Sequence, residues 1–199
     1  VMGIDIDKNR CDLALQFGAE RSVLSSEMTI EEQVRDFSQG YGVDAVLIMA
    51  STSSAEPLEL AGKFCREKGR VVVAGLLPLE FPRKDYWAKE LSLAMSRSFG
   101  PGYYDPCYAS DGQDYPFGYV RWSAGRNIEE AIHLIHTQKI NLEPLITHRF
   151  PVQEAEKAYS LLSESTGVLG AVFEYEQKPR LIPHIVLPTK TKEISHDKN

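Results

Sequence analysis

The sequence predicts an α/β fold built on a doubly wound parallel sheet. Over residues 1–76, short apolar runs alternate with amphipathic segments, which is the pattern of repeated β-α-β units. The runs "VLIM" at residues 46–49 and "VVVA" at residues 71–74 show no polar alternation. Continuous apolar runs are typical of parallel strands that are covered on both faces. We therefore expect a buried sheet with helices on either side.

Four strands and three helices follow from this pattern. The predicted strands cover residues 2–5, 21–24, 44–49 and 70–75, and the predicted helices cover residues 8–17, 30–40 and 54–67. Thr29 and Glu32 have the spacing of a capping box at the start of the second helix. The segment "REKG" at residues 66–69 predicts a basic last turn and a C′ glycine for the third helix.

Residues 77–120 change character, because Pro, Gly and Tyr become frequent. This composition predicts a long loop, interrupted by a short helix at 84–90 and a strand near 92–98. The aromatic content argues against disorder, so we expect an ordered loop with a functional role.

Regular structure is predicted to resume with a helix whose N-cap is Asn127. This helix places four apolar residues on one face, namely Ile128, Ala131, Ile132 and Ile135. A further helix at 153–163 and a last strand at 169–175 follow. Residues 177–199 are polar and contain three prolines, so they are predicted to be a linker or tail.

Composition excludes several classes of protein. The apolar fraction of 43% and the charged fraction of 25% are those of an ordinary globular protein. A net charge of −6 argues against binding to nucleic acid or to an anionic membrane. No apolar run approaches the roughly 20 residues that span a bilayer, and no signal-like segment is present, so a cytoplasmic protein is expected. The three cysteines, Cys11, Cys65 and Cys107, are too widely spaced for a disulfide framework or a zinc knuckle.

The segment "MGIDIDKNRCDLALQFGAERSVL" at residues 2–24 contains the first candidate site. An acid that ends a strand and precedes a helix is the second half of a dinucleotide-binding unit. The sequence contains no G-x-G-x-x-G, so the predicted Rossmann-like sheet is incomplete, with its first strand and Gly-rich turn absent. Asp5 could accept both ribose hydroxyls of a bound NAD. The alternatives are a solvated acid at Asp5 and a ribose-binding role for Asp7.

Several segments together carry a family resemblance. They are "GIDIDKNRCDLALQFGA", "DAVLIMAS", "GRVVVAG", "LEPLITHRFPVQEAEKAYSLL" and "GAVFEY". Over about residues 1–176 the chain resembles the cofactor-binding part of medium-chain, zinc-alcohol-dehydrogenase-like oxidoreductases. The segments "KELSLAMSRSFGPGYYDP" and "DYPFGYVRW" resemble the group in which this part is fused to a glucose-fructose oxidoreductase or inositol dehydrogenase type of domain.

The resemblance implies hydride transfer between a nicotinamide dinucleotide and a small alcohol or carbonyl substrate. The substrate would be held by a domain that is not present in these residues, and no catalytic residue is identified. NAD is favoured over NADP because a 2′-phosphate would meet the charge of Asp5. The zinc ligands of such enzymes lie in a GroES-like domain that this sequence does not contain, so zinc is not predicted.

The resemblance and the positions of strand ends also suggest which residues contact the cofactor. At the adenosine end these are Asp5 and Arg10 at the ribose, with Ala50 and Ser51 beneath the adenosine. At the other end, Ala74, Gly75 and Leu76 lie beside the nicotinamide, and Ser98 and Phe99 lie near it. Arg126 is placed at the pyrophosphate. Three of these residues also have a simpler interpretation. Arg10 and Arg126 could be exposed arginines, and Gly75 could be a turn residue. Thr52, Ser53 and Ser54 are predicted to cap a helix.

The histidines form no recognisable site. His133 and His136 have metal-ligand spacing but lack a third ligand, so they are predicted to lie at a surface or interface. His148 is interpreted as a structural residue of a turn.

The domain organisation and assembly are also predicted. We expect an NAD(P)-binding domain at 1–145, a segment at 146–176 that packs on the catalytic domain in relatives, and the tail. The segment "LSLAMSRSF" at residues 91–99 is the candidate edge strand of a homodimer. Two other functions stay open: a catalytically silent nucleotide-binding fragment or sensor, and a class I methyltransferase, against which the segment 146–175 argues.

Overall fold

The computed structural model describes residues 1–164 and 167–176, so the predicted tail lies outside the described residues. It divides into two units, of which the first is Val1–Glu129 and the second begins at Glu130. The division falls inside a long helix.

The first unit consists mainly of alternating strands and helices. In chain order these are β1 (Met2–Asp5), α1 (Lys8–Gln16), β2 (Arg21–Leu24), α2 (Ile30–Phe37), β3 (Val43–Ile48), α3 (Glu56–Phe64), β4 (Cys65–Val73), α4 (Arg83–Ala88), β5 (Ser92–Met95) and α5 (Pro106–Ala109). Helix α6 (Ala124–His136) spans the division between the units. The predicted α/β class is therefore confirmed, and the ends of most elements differ from prediction by a few residues.

The second unit continues from α6. It contains β6 (His148–Pro151), α7 (Ala155–Glu164) and β7 (Ala171–Glu174), with 3-10 turns at Glu143–Leu145 and Val152–Glu154. Strands β6 and β7 pair in parallel. The sequence predicted the last helix and strand but not β6, which lies in the loop segment "THRFP".

Every strand pair in the first unit is parallel. Strand β1 pairs with β2, and β4 lies between β3 and β5. The two sheets share a hydrophobic cluster, against which Met2 of β1 and Val43 and Val46 of β3 pack. The buried members of this cluster are Val23, Ile30, Val34 and Phe64.

No ladder joins β1 to β3 within the described ranges. A doubly wound sheet of the order 3-2-1-4-5-6 has its first strand at the centre. The observed orders β2-β1 and β3-β4-β5 match that arrangement when the central position is left vacant. We call this position the central strand position. The parallel sheet is thus incomplete in the way that the sequence predicted.

A second cluster of buried residues lies around β3 and β4. Its members are Ile48, Leu58, Ala61, Cys65, Val71, Val73 and Tyr86. The hydroxyl of Tyr86, in α4, donates a hydrogen bond of 2.9 Å to the carbonyl oxygen of Leu58, in α3. This bond ties the two helices together in the core, where a buried phenol needs a partner.

The end of α3 differs from the prediction. The helix ends at Phe64 because Cys65 is already extended, with φ −63° and ψ 143°. The segment "REKG" therefore belongs to β4, and its basic residues cannot complete the helix. Instead, Lys89 Nζ donates to the carbonyl oxygens of Gly62, Lys63 and Cys65, each at 2.8 Å.

One predicted N-cap is wrong, and one predicted capping box does not form. Thr29 is the N-cap residue of α2, but its side chain makes no capping bond, and its hydroxyl accepts a 3.0 Å bond from Gln33 Nε2. Asn127 lies inside α6 because this helix begins three residues earlier, at Ala124.

Apolar surface remains exposed on both a sheet and a helix. Leu47 of β3 is 66% exposed, and Met49, which follows the strand, is 73% exposed. The expectation that β3 is covered on both faces is therefore wrong for the part of the chain that is described. The predicted apolar face of α6 is also exposed, with Ile132 at 61%. Nothing in the described ranges covers these side chains enough to bury them.

Candidate functional site

The carboxyl ends of β3, β4 and β5 lie at one edge of their sheet. In the register of the ladders, Val73 of β4 pairs with both Ile48 of β3 and Met95 of β5. Because the strands are parallel, the segments that follow them leave from this same edge. Ligands of open parallel sheets bind at the carboxyl edge. We call it the carboxyl edge from here on.

Hydrogen bonds join the segments that follow β3 and β4. The backbone N–H groups of Ala74 and Gly75 donate to the carbonyl oxygen of Ile48, at 2.9 and 3.0 Å. The N–H of Thr52 donates to the carbonyl oxygen of Leu76 at 2.8 Å. The N–H of Leu76 donates to Ser51 Oγ at 3.4 Å. The structure therefore brings together five predicted site residues, which are Ala50, Ser51, Ala74, Gly75 and Leu76.

Gly75 is needed for a close approach of two backbones. A Cβ at this position would lie 1.9 Å from the carbonyl oxygen of Ala50 and 2.8 Å from the carbonyl carbon of Met49. The glycine thus lets the two segments meet, a structural reason that neither the turn interpretation nor the nicotinamide interpretation considered.

The hydroxyls after β3 organise the turn into α3. Thr52 Oγ1 accepts a 3.1 Å bond from the N–H of Ser54. Ser54 Oγ accepts a 3.1 Å bond from the N–H of Glu56, the first residue of the helix. These two side chains bind local backbone groups before the helix. The N-cap of α3 is Ala55, which has no side-chain capping bond, so none of Thr52, Ser53 and Ser54 is the cap that the sequence predicted.

Asp5 ends β1, in the other sheet. One of its carboxylate oxygens accepts a 3.0 Å bond from the N–H of Asp7. Asp7 is the N-cap of α1, because its Oδ1 accepts a 2.8 Å bond from the N–H of Asn9. Arg10 Nε lies 4.0 Å from Asp7 Oδ2. Within the described ranges, no hydrogen bond links Asp5 or Arg10 to the segments that follow β3 and β4.

The segment after β5 forms a tight turn at Ser98, Phe99 and Gly100. Its start is attached to the sheet by a 2.8 Å bond from the N–H of Ser96 to the carbonyl oxygen of Val73. Ser98 and Gly100 both have left-handed backbone conformations, with φ of +52° and +101°. We call residues 98–100 the Phe99 turn.

Exposed aromatic rings surround the Phe99 turn. The ring of Phe99 is 52% exposed and packs edge-on against Tyr103, with 5.4 Å between centroids. Tyr103 in turn packs against Tyr104 at 4.8 Å, and the guanidinium carbon of Arg97 lies 3.3 Å from the centroid of Tyr104.

Two residues of α6 contact this loop, and the sequence did not predict either contact. Asn127 Nδ2 donates a 2.7 Å bond to the carbonyl oxygen of Phe99. The guanidinium of Arg126 binds the carboxylate of Asp114 and the carbonyl oxygens of Tyr115 and Val120. Arg126 is therefore held within the loop, with its side chain only 17% exposed. The sequence does contain a signal for the contact of Arg126 with Asp114. The acid of "DYP" at 114–116 and the arginine of "RN" at 126–127 flank an aromatic segment.

A second set of bonds orders the middle of the loop. Tyr115 donates a 2.5 Å bond to Asp105, which raises the pKa of Tyr115 to about 12 and lowers the pKa of Asp105. Tyr108 stacks on Tyr115 at 5.4 Å and accepts a 2.8 Å bond from the N–H of Gly125. The buried hydroxyl of Ser123 lies 3.3 Å from the Tyr108 hydroxyl. The long loop is thus ordered, as its aromatic content suggested.

A cavity of about 310 Å³ lies elsewhere, at the amino ends of β3 and β4. Its lining includes the cations Lys63, Arg66 and Lys89. Lys63 pairs with Glu31 and Arg66 pairs with Asp44, both at 2.7 Å, and Lys89 caps α3. These three charges are already used within the protein, and a fourth cation, Arg35, also lines the cavity. Because most of its cations have partners, the cavity is a weaker candidate than the carboxyl edge.

Neither a metal cluster nor a membrane span is found in the described part of the chain. No three His, Cys, Asp or Glu side chains there are close enough to hold a metal ion. Cys11 and Cys65 are buried, whereas Cys107 is exposed. In residues 1–164 and 167–176, no helix is long and apolar enough to cross a membrane.

Comparison with known proteins adds a family match. The model of the family described as zinc-binding dehydrogenase matches residues 1–109. Sorbitol dehydrogenase of Halalkalibacterium halodurans is 26% identical over 172 residues, which are 84% of this chain and 42% of that protein. The chain thus spans about two fifths of the length of this relative.

Solved structures show the same fold. Zinc dependent alcohol dehydrogenase 2 from Streptococcus pneumonia superposes with a TM-score of 0.65 at 22% identity, over 89% of this chain and 45% of that one. A short chain alcohol dehydrogenase from E. coli CFT073, complexed with NADH, gives a TM-score of 0.62 at 21% identity, over 87% of this chain and 44% of that one.

Proposed function

We propose, from the premise that this chain belongs to the zinc-binding dehydrogenase family, that it forms the nicotinamide-cofactor-binding part of an alcohol or polyol dehydrogenase. The observation that carries the proposal is the carboxyl edge, where hydrogen bonds and the close approach of Gly75 to Ala50 join the two segments that contain five predicted cofactor neighbours. The NADH complex of the E. coli structure and the polyol named for the bacterial relative support the same class of reaction.

Asp5 is the residue on which the choice of cofactor depends. Its carboxylate would accept the two hydroxyls of the adenosine ribose, with Arg10 beside it, and would repel a 2′-phosphate. We therefore infer a preference for NAD over NADP. Ala50 and Ser51 would lie beneath the adenosine.

The nicotinamide would lie at the end of β4. There the carbonyl oxygens of Ala74 and Gly75 could accept bonds from its carboxamide, because the N–H groups of these residues already donate to Ile48. Leu76 would lie beside the ring, with Ser98 and Phe99 on the far side. The cofactor supplies the hydride chemistry when it is bound, and the protein positions the ring. Arg126 could reach the pyrophosphate only by giving up its bonds within the loop.

The substrate would be held outside this chain's described residues. The His, Cys, Asp and Glu side chains of the described residues do not cluster into a zinc site, so zinc is given no role in the proposed reaction of this chain. The pyrophosphate would require a glycine-rich turn after a strand at the central strand position. The cytoplasmic location inferred from composition stays a prediction.

Titration with NADH tests the proposal. We expect saturable binding of NADH to the intact chain, followed by the change in nicotinamide fluorescence. Asp5→Asn should weaken NADH binding about tenfold, because losing the charge-assisted hydrogen bonds to the two ribose hydroxyls costs about 1.4 kcal/mol. The ratio of the affinity for NADH to the affinity for NADPH should also fall. Asp12→Asn, which removes an exposed acid paired with Lys8, is the matched control.

Other outcomes of the titration favour the alternatives. Absence of NADH binding at millimolar concentration would favour a catalytically silent fragment, a candidate that the lack of a G-x-G-x-x-G supports. Binding of S-adenosylmethionine in place of NADH would contradict both and favour a methyltransferase.

We also infer that the chain forms a homodimer through β5. Among the described strands, β5 pairs only with β4, so its other edge is available, and Met95 is 53% exposed. Sedimentation should therefore give the mass of two chains. Met95→Lys should shift the equilibrium to the monomer, whereas Met28→Lys, at a fully exposed position, should not. A monomeric wild-type chain would contradict the inference.

A further inference from the structure

The loop between β5 and α6 is held at both ends by two neighbouring residues of α6. Asn127 uses its carboxamide to join the two ends of the loop, by the 2.7 Å bond to the carbonyl oxygen of Phe99 near its beginning and a 3.4 Å bond to the carbonyl oxygen of Trp122 at its end. Arg126 holds the later part through Asp114, Tyr115 and Val120. We call these two residues the α6 clamp.

The Phe99 turn needs such support. Ser98 is a non-glycine residue in the left-handed region, a strained conformation that persists only where the surrounding structure fixes it. Gly100 is left-handed as well, and a Cβ there would lie 2.6 Å from Asn127 Nδ2. The carboxamide of Asn127 therefore fills the space beside Gly100 while it bonds the carbonyl of Phe99.

We propose that Asn127 is a positioning residue that fixes the Phe99 turn, and through it the nicotinamide end of the cofactor site. Only the part about the cofactor rests on the proposed function, because the clamp is defined by bonds within the protein. Arg126 has the companion role of fixing the 114–120 segment, which explains why its guanidinium is turned into the loop.

The bond from Asn127 to Phe99 has a direction that a substitution can test. The side chain must donate, since the partner is a carbonyl oxygen. Asn127→Asp keeps the shape of the side chain but places a carboxylate, which only accepts, against that oxygen. Asn141→Asp is the matched control, because Asn141 Oδ1 accepts a bond from the N–H of Glu143 and a carboxylate can do the same.

Two measurements on each variant separate the clamp from the cofactor. Hydrogen exchange of residues 98–104 reports the Phe99 turn, and titration with NADH reports the site. In Asn127→Asp we expect exchange at 98–104 to become about five- to tenfold faster and the Kd for NADH to rise by a similar factor, as for one lost hydrogen bond. Asn141→Asp should change neither. Asn127→Ala, which lacks the repulsive charge, should show smaller increases in the exchange rate at 98–104 and in the Kd for NADH.

Each contrary result has its own meaning. Unchanged exchange at 98–104 in both Asn127 variants would overturn the clamp. Faster exchange with an unchanged Kd for NADH would overturn the positioning role and leave the proposed function standing. If the wild-type chain bound no NADH, the proposed function would fail together with the positioning role, and exchange alone would still decide whether the clamp exists.

Discussion

At the scale of single residues, Gly75 shows how a glycine can be required without unusual dihedral angles. Its hydrogen faces the carbonyl of Ala50, so the two segments of the carboxyl edge meet where no side chain fits. The need is steric and involves a residue 25 positions away. Such a need is invisible in the local sequence, where "VAGL" only suggests the end of a strand.

Gly75→Ala should therefore destabilise the protein. The added Cβ must push the segment at Ala50 away, which costs about 1–3 kcal/mol in a packed region. The free energy of unfolding, measured with urea, should fall by that amount. Gly118→Ala is the control, because a Cβ there meets nothing within 4 Å, and it should change stability by less than about 0.5 kcal/mol. Equal stability of the two variants would contradict the close approach.

At the scale of elements, the strands and helices of the first 76 residues could be predicted because they follow from the local periodicity of apolar residues. The strands β1 and β2 match the prediction at both ends. The loop before α6 could not be predicted in the same way, because its bonds join residues far apart along the chain. The bond from Asn127 to Phe99 spans 28 positions, and the bond from Tyr115 to Asp105 spans 10. Asn127 was assigned as an N-cap because such a residue before an apolar periodic segment usually caps a helix.

The contact between α3 and α4 gives a prediction about alkaline pH. Burial raises the pKa of Tyr86 to about 12, so the folded protein favours the protonated phenol. This contribution to stability is fully present below pH 10, the ordinary pKa of tyrosine, and is lost as the pH rises towards 12. Tyr86→Phe should lower the free energy of unfolding by about 1 kcal/mol at neutral pH, since the bond to Leu58 disappears.

The difference between wild type and Tyr86→Phe should then shrink between pH 10 and 12. Urea unfolding of both proteins across that range checks this, because other titrating groups cancel in the comparison. A difference that stays constant up to pH 12 would show that the phenol does not titrate with folding.

At the scale of the whole molecule, the sequence predicted the parallel sheet, its missing centre and the family. The exposed apolar faces of β3 and α6 were not predicted. Periodicity reports which side chains are apolar, but it does not report whether the same chain supplies a partner for them. The second unit begins at Glu130, and its strands β6 and β7 contact each other and α7. The segment predicted at 146–176 lies within this unit, and its packing on a catalytic domain stays a prediction.

The central strand position also limits how copies of this chain can associate. A two-fold axis pairs an edge strand with an antiparallel copy of itself, so the β5 edge can form a closed dimer. The position between β1 and β3 is different, because in a doubly wound sheet a strand there runs parallel to both neighbours. A strand donated by another copy would make a heterologous contact and leave that copy's own position open to a third. Association at β5 would close at two copies, whereas a heterologous strand contact at the central strand position of these residues would give a ring or an open polymer.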